Sequence, residues 1–420
     1  QDPDGCALVH DMEIFGPVAT LMPYRDLEHG LALAHRGQGS LVCSLYGEDA
    51  AALATASTDL AASHGRVHVV TPDVAKLHTG HGNVMPQSMH GGRCRAGRFT
   101  GTGFLPPQKR HAGRTQRAAG TGCNDGSLTM IDFSQPFNFA EYLFDLNQDR
   151  ADKIAYTDDQ CTLSYAQLQE QARRIAHGLL AAGIHREERV LLVMHDMREW
   201  VISFLGAMYA GVVPVAVNTL LTPADYAYML EHCRAQAILT NGALVPAVQQ
   251  ALNQAQHEVN HIWVARPEEA PQGLPPAFEP LQPWLAQQTP LPHAAKTMGD
   301  DPGFWLYSSG STGKPKGAVH THANPYWTAV LYGKPVLGLN ENDVCFSAAK
   351  LYFAYGLGNA LTFPLSVGAS VVLMAERPTP EAVFARWMQH QPTVFFGAPT
   401  GFAGMLAHPA LPAREQVSLR

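Results

Sequence analysis

From Trp200 to Val217 the chain carries no charged residue, and no other stretch narrows its fold as far. By length alone such a run matches a membrane span, but Gly206, Gly211 and Pro214 break it. A helix over about 199–209, a glycine turn and a buried strand over 212–217 account for the run better, because strands of a covered parallel sheet are near-continuously apolar. The flanking sequence keeps up the alternation of an α/β domain. An amphipathic helix is expected over 139–147 and a strand over 153–157. Ser164 is placed to cap a helix reaching about 182, with Gly183 closing it. Strands follow over 189–194, 237–240 and 261–265, with a helix over 224–233. Residues 268–292, rich in proline and glutamine, read as a surface loop, and 303–307 as a further strand.

After that last strand comes YSSGSTGKPKG, Tyr307 to Gly317, with four hydroxyls besides the tyrosine, three glycines and two lysines. Glycines let the backbone turn its N–H groups toward an anion, hydroxyls donate to phosphate oxygens, and Lys314 and Lys316 supply positive charge. The composition points to a polyphosphate. It is not a Walker loop, because G-x-x-x-x-G-K-[ST] ending at Lys314 needs glycine at 308 and Ser or Thr at 315, where Ser308 and Pro315 stand. A plain surface linker accounts less well for two lysines around a proline after an apolar strand.

Composition excludes several partners. A 420-residue chain that is 46% hydrophobic and 15% charged has room for more than one domain. Its net charge of −7 argues against a general nucleic-acid surface. Seven cysteines without a C-x-x-C pair argue against a disulfide framework and for the cytosol. The close histidine pairs, His78 with His81 and His320 with His322, have no neighbouring Cys or carboxylate set, so no metal site is expected.

The glycine- and hydroxyl-rich loop resembles the signature of the acyl-adenylate-forming superfamily of acyl-CoA synthetases, luciferases and adenylation domains. VHTHANPYW from Val319, CFSAAKLYFAYGLGNALTFPL from Cys345 and LMAERPTP from Leu373 are similar to the benzoate-CoA ligase branch, and the likeness runs over about 130–420. It implies ATP-dependent conversion of a benzoate-like carboxylate to an acyl-adenylate and then a CoA thioester, with ATP, Mg²⁺ and coenzyme A taking part. Ser308, Ser309, Gly310, Ser311, Thr312, Gly313 and Lys316 are assigned to the nucleotide phosphates, Thr312 and Lys316 as the catalytic pair; Lys314 is a weaker assignment. Phe353, Ala354, Tyr355, Gly397 and Ala398 are assigned to the ring, whereas Leu351 and Tyr352 are expected to be core. Many relatives carry His where Phe353 stands, which leaves the carboxylate's polar partner open. The likeness stops before the family's adenine-binding motifs and adenylation lysine, so this chain is expected to be catalytically incompetent by itself. A homo-oligomer is allowed; a membrane or nucleic-acid partner is not expected.

Residues 1–92 do not continue this likeness. DMEIFGPVATLMPYRD from Asp11, GSLVCSLYGED from Gly39 and HTGHGNVMPQSMHGG from His78 resemble the C-terminal end of an aldehyde dehydrogenase of aromatic-CoA degradation. There the resemblance places Glu13 at the nicotinamide ribose with Phe15 beside it, while the nucleophilic cysteine is absent. Residues 93–129 are basic and read as a disordered or frameshifted connector. Phe104-Leu-Pro-Pro107 is what a Phe-Tyr-His coding stretch gives one base out of register, so two adjacent genes joined by a reading-frame error are expected, the ligase part beginning at Met130. The alternatives are a dehydrogenase fragment acting on an aldehyde and a non-catalytic assembly made from both pieces.

Overall fold

The computed structural model describes residues 23–36, 43–61, 67–70, 131–308 and 315–420, which fall into two compact units, one before residue 130 and one after it. In the first, α1 (Leu27–Arg36) precedes β1 (Cys43–Tyr46), α2 (Ala50–Leu60) and β2 (Val67–Val70). β1 and β2 pair in parallel, Cys43 opposite Val67, so α2 is their crossover. Asp49 caps α2 by accepting from the Ala51 and Ala52 N–H groups, and Leu53, Ala56 and Leu60 form its buried face. Glu13, Phe15, the pair His78 and His81, and the whole connector over 93–129 lie outside the described residues.

The second unit begins with α3 (Phe139–Leu146), β3 (Ile154–Thr157), β4 (Thr162–Ser164), α4 (Tyr165–Ala181), β5 (Arg189–Val193), α5 (Arg198–Tyr209) and β6 (Val213–Ala216). It continues through α6 (Pro223–Cys233), β7 (Ala235–Asn241), α7 (Val245–Gln254), β8 (His261–Ala265), β9 (Glu279–Pro280), α8 (Leu281–Ala286), β10 (Pro302–Ser308) and β11 (Lys316–Thr321). Last come α9 (Ala323–Thr328), β12 (Val344–Ser347), α10 (Ala354–Leu357), α11 (Phe363–Leu365), β13 (Ser370–Val372), α12 (Pro380–His390), β14 (Val394–Phe396) and α13 (Pro399–Leu406). One sheet has the order β11-β10-β6-β5-β7-β8-β9, and a second has β14-β12-β13-β3-β4.

The uncharged run folds as its interruptions require. All residues of α5 from Glu199 to Tyr209 are buried, Gly211 turns the chain at φ +73°, and all four residues of β6 are buried. Gly206 lets α5 press against α4, because a Cβ there would stand 2.5 Å from the Ala172 carbonyl oxygen. Ser164 caps α4 in a reciprocal box with Gln167, and Gly183 follows at φ +82°. No described helix is long and apolar enough to cross a membrane.

The expected loop over 268–292 is corrected by the structure. It contains β9, which pairs with β8, and α8, whose Leu281 and Leu285 are buried along with Phe278. Trp284 packs its ring 4.2 Å from that of Trp263 and lies over Gly178. The proline and glutamine content masked this set of apolar residues.

The sheets are tied by a buried ion network. Arg266, just past β8, donates to Asp158, just past β3, at 2.6 Å and to Glu199 of α5 at 3.3 Å. Arg198 donates to the other Glu199 oxygen at 2.9 Å. Burial pushes the Asp158 carboxyl up, but the N–H groups of Gln160, Arg198 and Cys161, together with Arg266, hold it below its ordinary value. The four described cysteines, Cys43, Cys161, Cys233 and Cys345, are free thiols.

Candidate active site

β10 pairs antiparallel with β11 and parallel with β6, so residue 308 marks the carboxyl end of a strand embedded in the larger sheet. Ser308 stands directly opposite Lys316 in the ladder, and both are exposed. A hydroxyl and an ammonium thus flank the two ends of the intervening segment. A Walker loop joins a strand to a helix; here the flanking elements are two strands of a hairpin. Tyr307 is fixed from α6, its hydroxyl 2.7 Å from His232 Nδ1. Burial pushes that phenol up. Ser309, Gly310, Ser311, Thr312, Gly313 and Lys314 lie outside the described residues.

The segment after β12 divides its side chains between core and surface. Leu351 and Tyr352 are buried, as expected, whereas Phe353 and Tyr355 are 45% and 48% exposed and Ala354 is exposed between them. The Tyr355 hydroxyl donates to the Gly397 carbonyl at 3.4 Å, which joins the two parts of the expected ring site. Gly397 directly follows β14, and Ala398 is the exposed N-cap of α13. A Cβ at Gly397 would stand 3.1 Å from the rings of Phe395 and Phe402, so the glycine leaves that corner open. α10 runs on into a π-helical turn over Gly358–Thr362, a local widening often found at functional sites. Within it Asn359 and Thr362 are buried, and Thr362 Oγ1 has no hydrogen-bond partner among the described residues.

Two residues to which the sequence reading gave no role hold this segment. Asp196 follows β5, the strand from which the order turns first to β6 and then back to β7. Open α/β sheets bind ligands in the crevice outside the carboxyl ends at such a reversal. The Asp196 carboxylate accepts the Leu351 N–H, with oxygens at 3.1 and 3.3 Å. Lys350 donates to the Met374 carbonyl and, at 2.6 Å, to that of Glu376. Burial pushes the Asp196 carboxyl up to about 6 against the opposing pull of Lys350 and the Leu351 N–H. Burial also lowers the Lys350 ammonium, partly offset by Asp196. No sequence pattern marks Asp196, because its partner lies 155 residues away.

His320 and His322 are both engaged within the fold. The His320 ring stacks on Phe304 at 4.7 Å, and the buried His322 accepts the Phe139 N–H on Nδ1. A hollow of about 320 Å³ bordered by Pro136, Asn138, Glu141, His293 and Lys296 is lined by none of the expected site residues.

A family model described as AMP-binding enzyme matches residues 144–420. A benzoate–CoA ligase of Thauera aromatica is 44% identical over 293 residues, covering 69% of this chain and 54% of that protein. The crystal structure of a benzoate CoA ligase from Burkholderia xenovorans LB400 superposes with a TM-score of 0.62 at 55% identity, covering 68% of this chain and 55% of the other. The chain thus spans about half the length of the ligases it matches. A 3,4-dehydroadipyl-CoA semialdehyde dehydrogenase of Aromatoleum evansii is 56% identical over 84 residues, 20% of this chain and 16% of that protein.

Proposed function

The chain belongs to the AMP-binding enzyme family, and from that premise we propose that its second unit binds ATP and an aromatic carboxylate as part of an aryl acid–CoA ligase. The observation that carries this reading is the half-exposed Tyr355 meeting Gly397 just past β14, with the half-exposed Phe353 two residues before it in the same segment. A benzoate ring takes a flat slot with aromatic walls and a small residue at its end. The relatives named for benzoate support the same substrate class.

In the proposed reaction the carboxylate oxygen attacks the α-phosphorus of ATP, the bond to the β-phosphate breaks, and pyrophosphate leaves. The thiol of coenzyme A then attacks the acyl carbon and AMP departs. The hydroxyls of Ser308, Ser309, Ser311 and Thr312 and the Gly310 and Gly313 amides hold the phosphates. Lys316 offsets the charge of the departing pyrophosphate beside Thr312. Magnesium bound with the triphosphate would offset its charge, and no residue of this chain is assigned to hold it. Phe353, Ala354, Tyr355, Gly397 and Ala398 enclose the ring.

Residues 1–92 are read as the end of an aldehyde dehydrogenase, 93–129 as a connector and 130–420 as the ligase part, working in the cytosol. A second reading, an NAD(P)-linked fragment, rests on the 84-residue likeness to the semialdehyde dehydrogenase. Thermal-shift measurements on the full chain separate them. Stabilisation by ATP–Mg²⁺ and by benzoate is the expected result. A shift with NADP⁺ alone would favour the dehydrogenase reading, and no shift with any of them would leave an assembly without ligands.

A further inference from the structure

The aromatic side chains proposed to wall the ring are half exposed, and beyond the edge contact of Phe353 with Tyr352 and the Tyr355 bond to Gly397 little of their own packing holds them. What restrains them is the backbone on which they stand. The chain folds back on itself here: the Phe353 N–H donates to the Lys350 carbonyl at 3.0 Å, and the Leu357 N–H to the Phe353 carbonyl at 2.8 Å. At Gly356 a Cβ would stand 2.0 Å from the Lys350 carbonyl oxygen, so the turn closes as tightly as a backbone allows.

That turn touches the larger sheet through a buried polar contact. The Asp196 carboxylate, 3% exposed, receives the Leu351 N–H two residues before Phe353 and four before Tyr355. Immediately before it, Lys350 reaches the Met374 and Glu376 carbonyls beyond β13. The turn is therefore tethered from both sheets. A buried carboxylate is costly to desolvate, and here the Leu351 N–H and the nearby Lys350 ammonium offset that cost. What the carboxylate adds is direction, because it accepts a hydrogen bond from one particular N–H.

We infer that Asp196 is a positioning residue for the aryl-acid end of the site: by accepting the Leu351 N–H it fixes the turn that carries Phe353 and sets Tyr355 against Gly397. The inference rests on the proposed ligase reading for the identity of the ligand but not for the anchoring itself. Asp196 touches no reacting atom. Its effect falls on acid binding.

The test compares full-length chains carrying Asp196→Asn and Asp196→Leu. Asparagine keeps an acceptor for the Leu351 N–H, whereas leucine keeps the branched outline with added bulk, removes the buried charge and accepts nothing. Hydrogen exchange is followed for the peptide 349–357, and dissociation constants are measured separately for benzoate and for ATP–Mg²⁺. With leucine, exchange at the Leu351 amide should rise about tenfold or more as the hydrogen bond is lost. Benzoate should weaken about fivefold or more while ATP–Mg²⁺ stays within about twofold. With asparagine both readouts should stay close to those of the unsubstituted chain. Unchanged exchange and benzoate affinity in a folded leucine variant overturn the inference, and so does an equal loss for both ligands. Should the unsubstituted chain bind no aryl acid, the proposed function falls and the exchange comparison alone decides the anchoring.

Discussion

At the scale of single residues, space and charge are set by atoms that sequence neighbours do not reveal. Gly356 reads as one glycine in an aromatic stretch, yet any Cβ there would collide with the Lys350 backbone. Gly356→Ala is expected to destabilise the second unit by about 3 kcal/mol, as overpacking against an unyielding backbone does; chemical denaturation reads the loss. His322 behaves differently. Burial lowers its imidazole to about 4, against a smaller opposing pull from Asp301 and a further push down from Arg186. The unfolded chain therefore takes up this proton first. The contribution is fully present above about pH 6.5 and lost as the pH falls toward about 4, with a total near about 3 kcal/mol. His322→Asn keeps an acceptor for the Phe139 N–H and should flatten that part of the stability-versus-pH curve; an unchanged slope would refute it. Lys316→Ala should weaken ATP–Mg²⁺ binding about tenfold or more by removing a charge-assisted contact, with benzoate affinity little altered, as titration calorimetry would record. The hydroxyls and lysines of the loop proposed for the nucleotide were legible as chemistry because their residue types suit a phosphate. Asp196 was not, since one aspartate in a run such as Met194-His-Asp-Met197 carries no local signal.

Among the elements, the alternation of apolar strands with capped helices was legible, and the bounds moved by no more than two residues for most of them. The physical reason is that burial on both faces of a sheet leaves a continuous apolar run, while caps and turns need particular residue types. β9 and α8 were missed because a two-residue strand and a six-residue helix are too short to show a period, and only contact with Trp263 and Gly178 gives them a reason to form. The network joining β3, β8 and α5 was equally invisible, as its members come from distant stretches. Arg266→Ala leaves Asp158 and Glu199 buried without their shared cation and should cost about 3–5 kcal/mol. Arg266→Met with both acids neutralised as Asp158→Asn and Glu199→Gln should recover much of that loss. A triple variant no more stable than the alanine variant would show that the charges themselves are not the source.

For the molecule as a whole, the proposal that two pieces of different origin are joined predicts two thermal transitions in calorimetry. ATP–Mg²⁺ and benzoate should raise the transition of the second unit only. One transition that moves as a whole with ligand would count against it. The sequence by itself determined the α/β class and the family, and it alone carries the proposal of a phosphate-binding loop, because each depends on residue types close together in the chain. Only the tertiary structure decided which side chains meet at the carboxyl ends of the two sheets. Tyr355 reaches Gly397 across 42 residues and Asp196 reaches Leu351 across 155, and such contacts follow from strand order, which local composition does not encode.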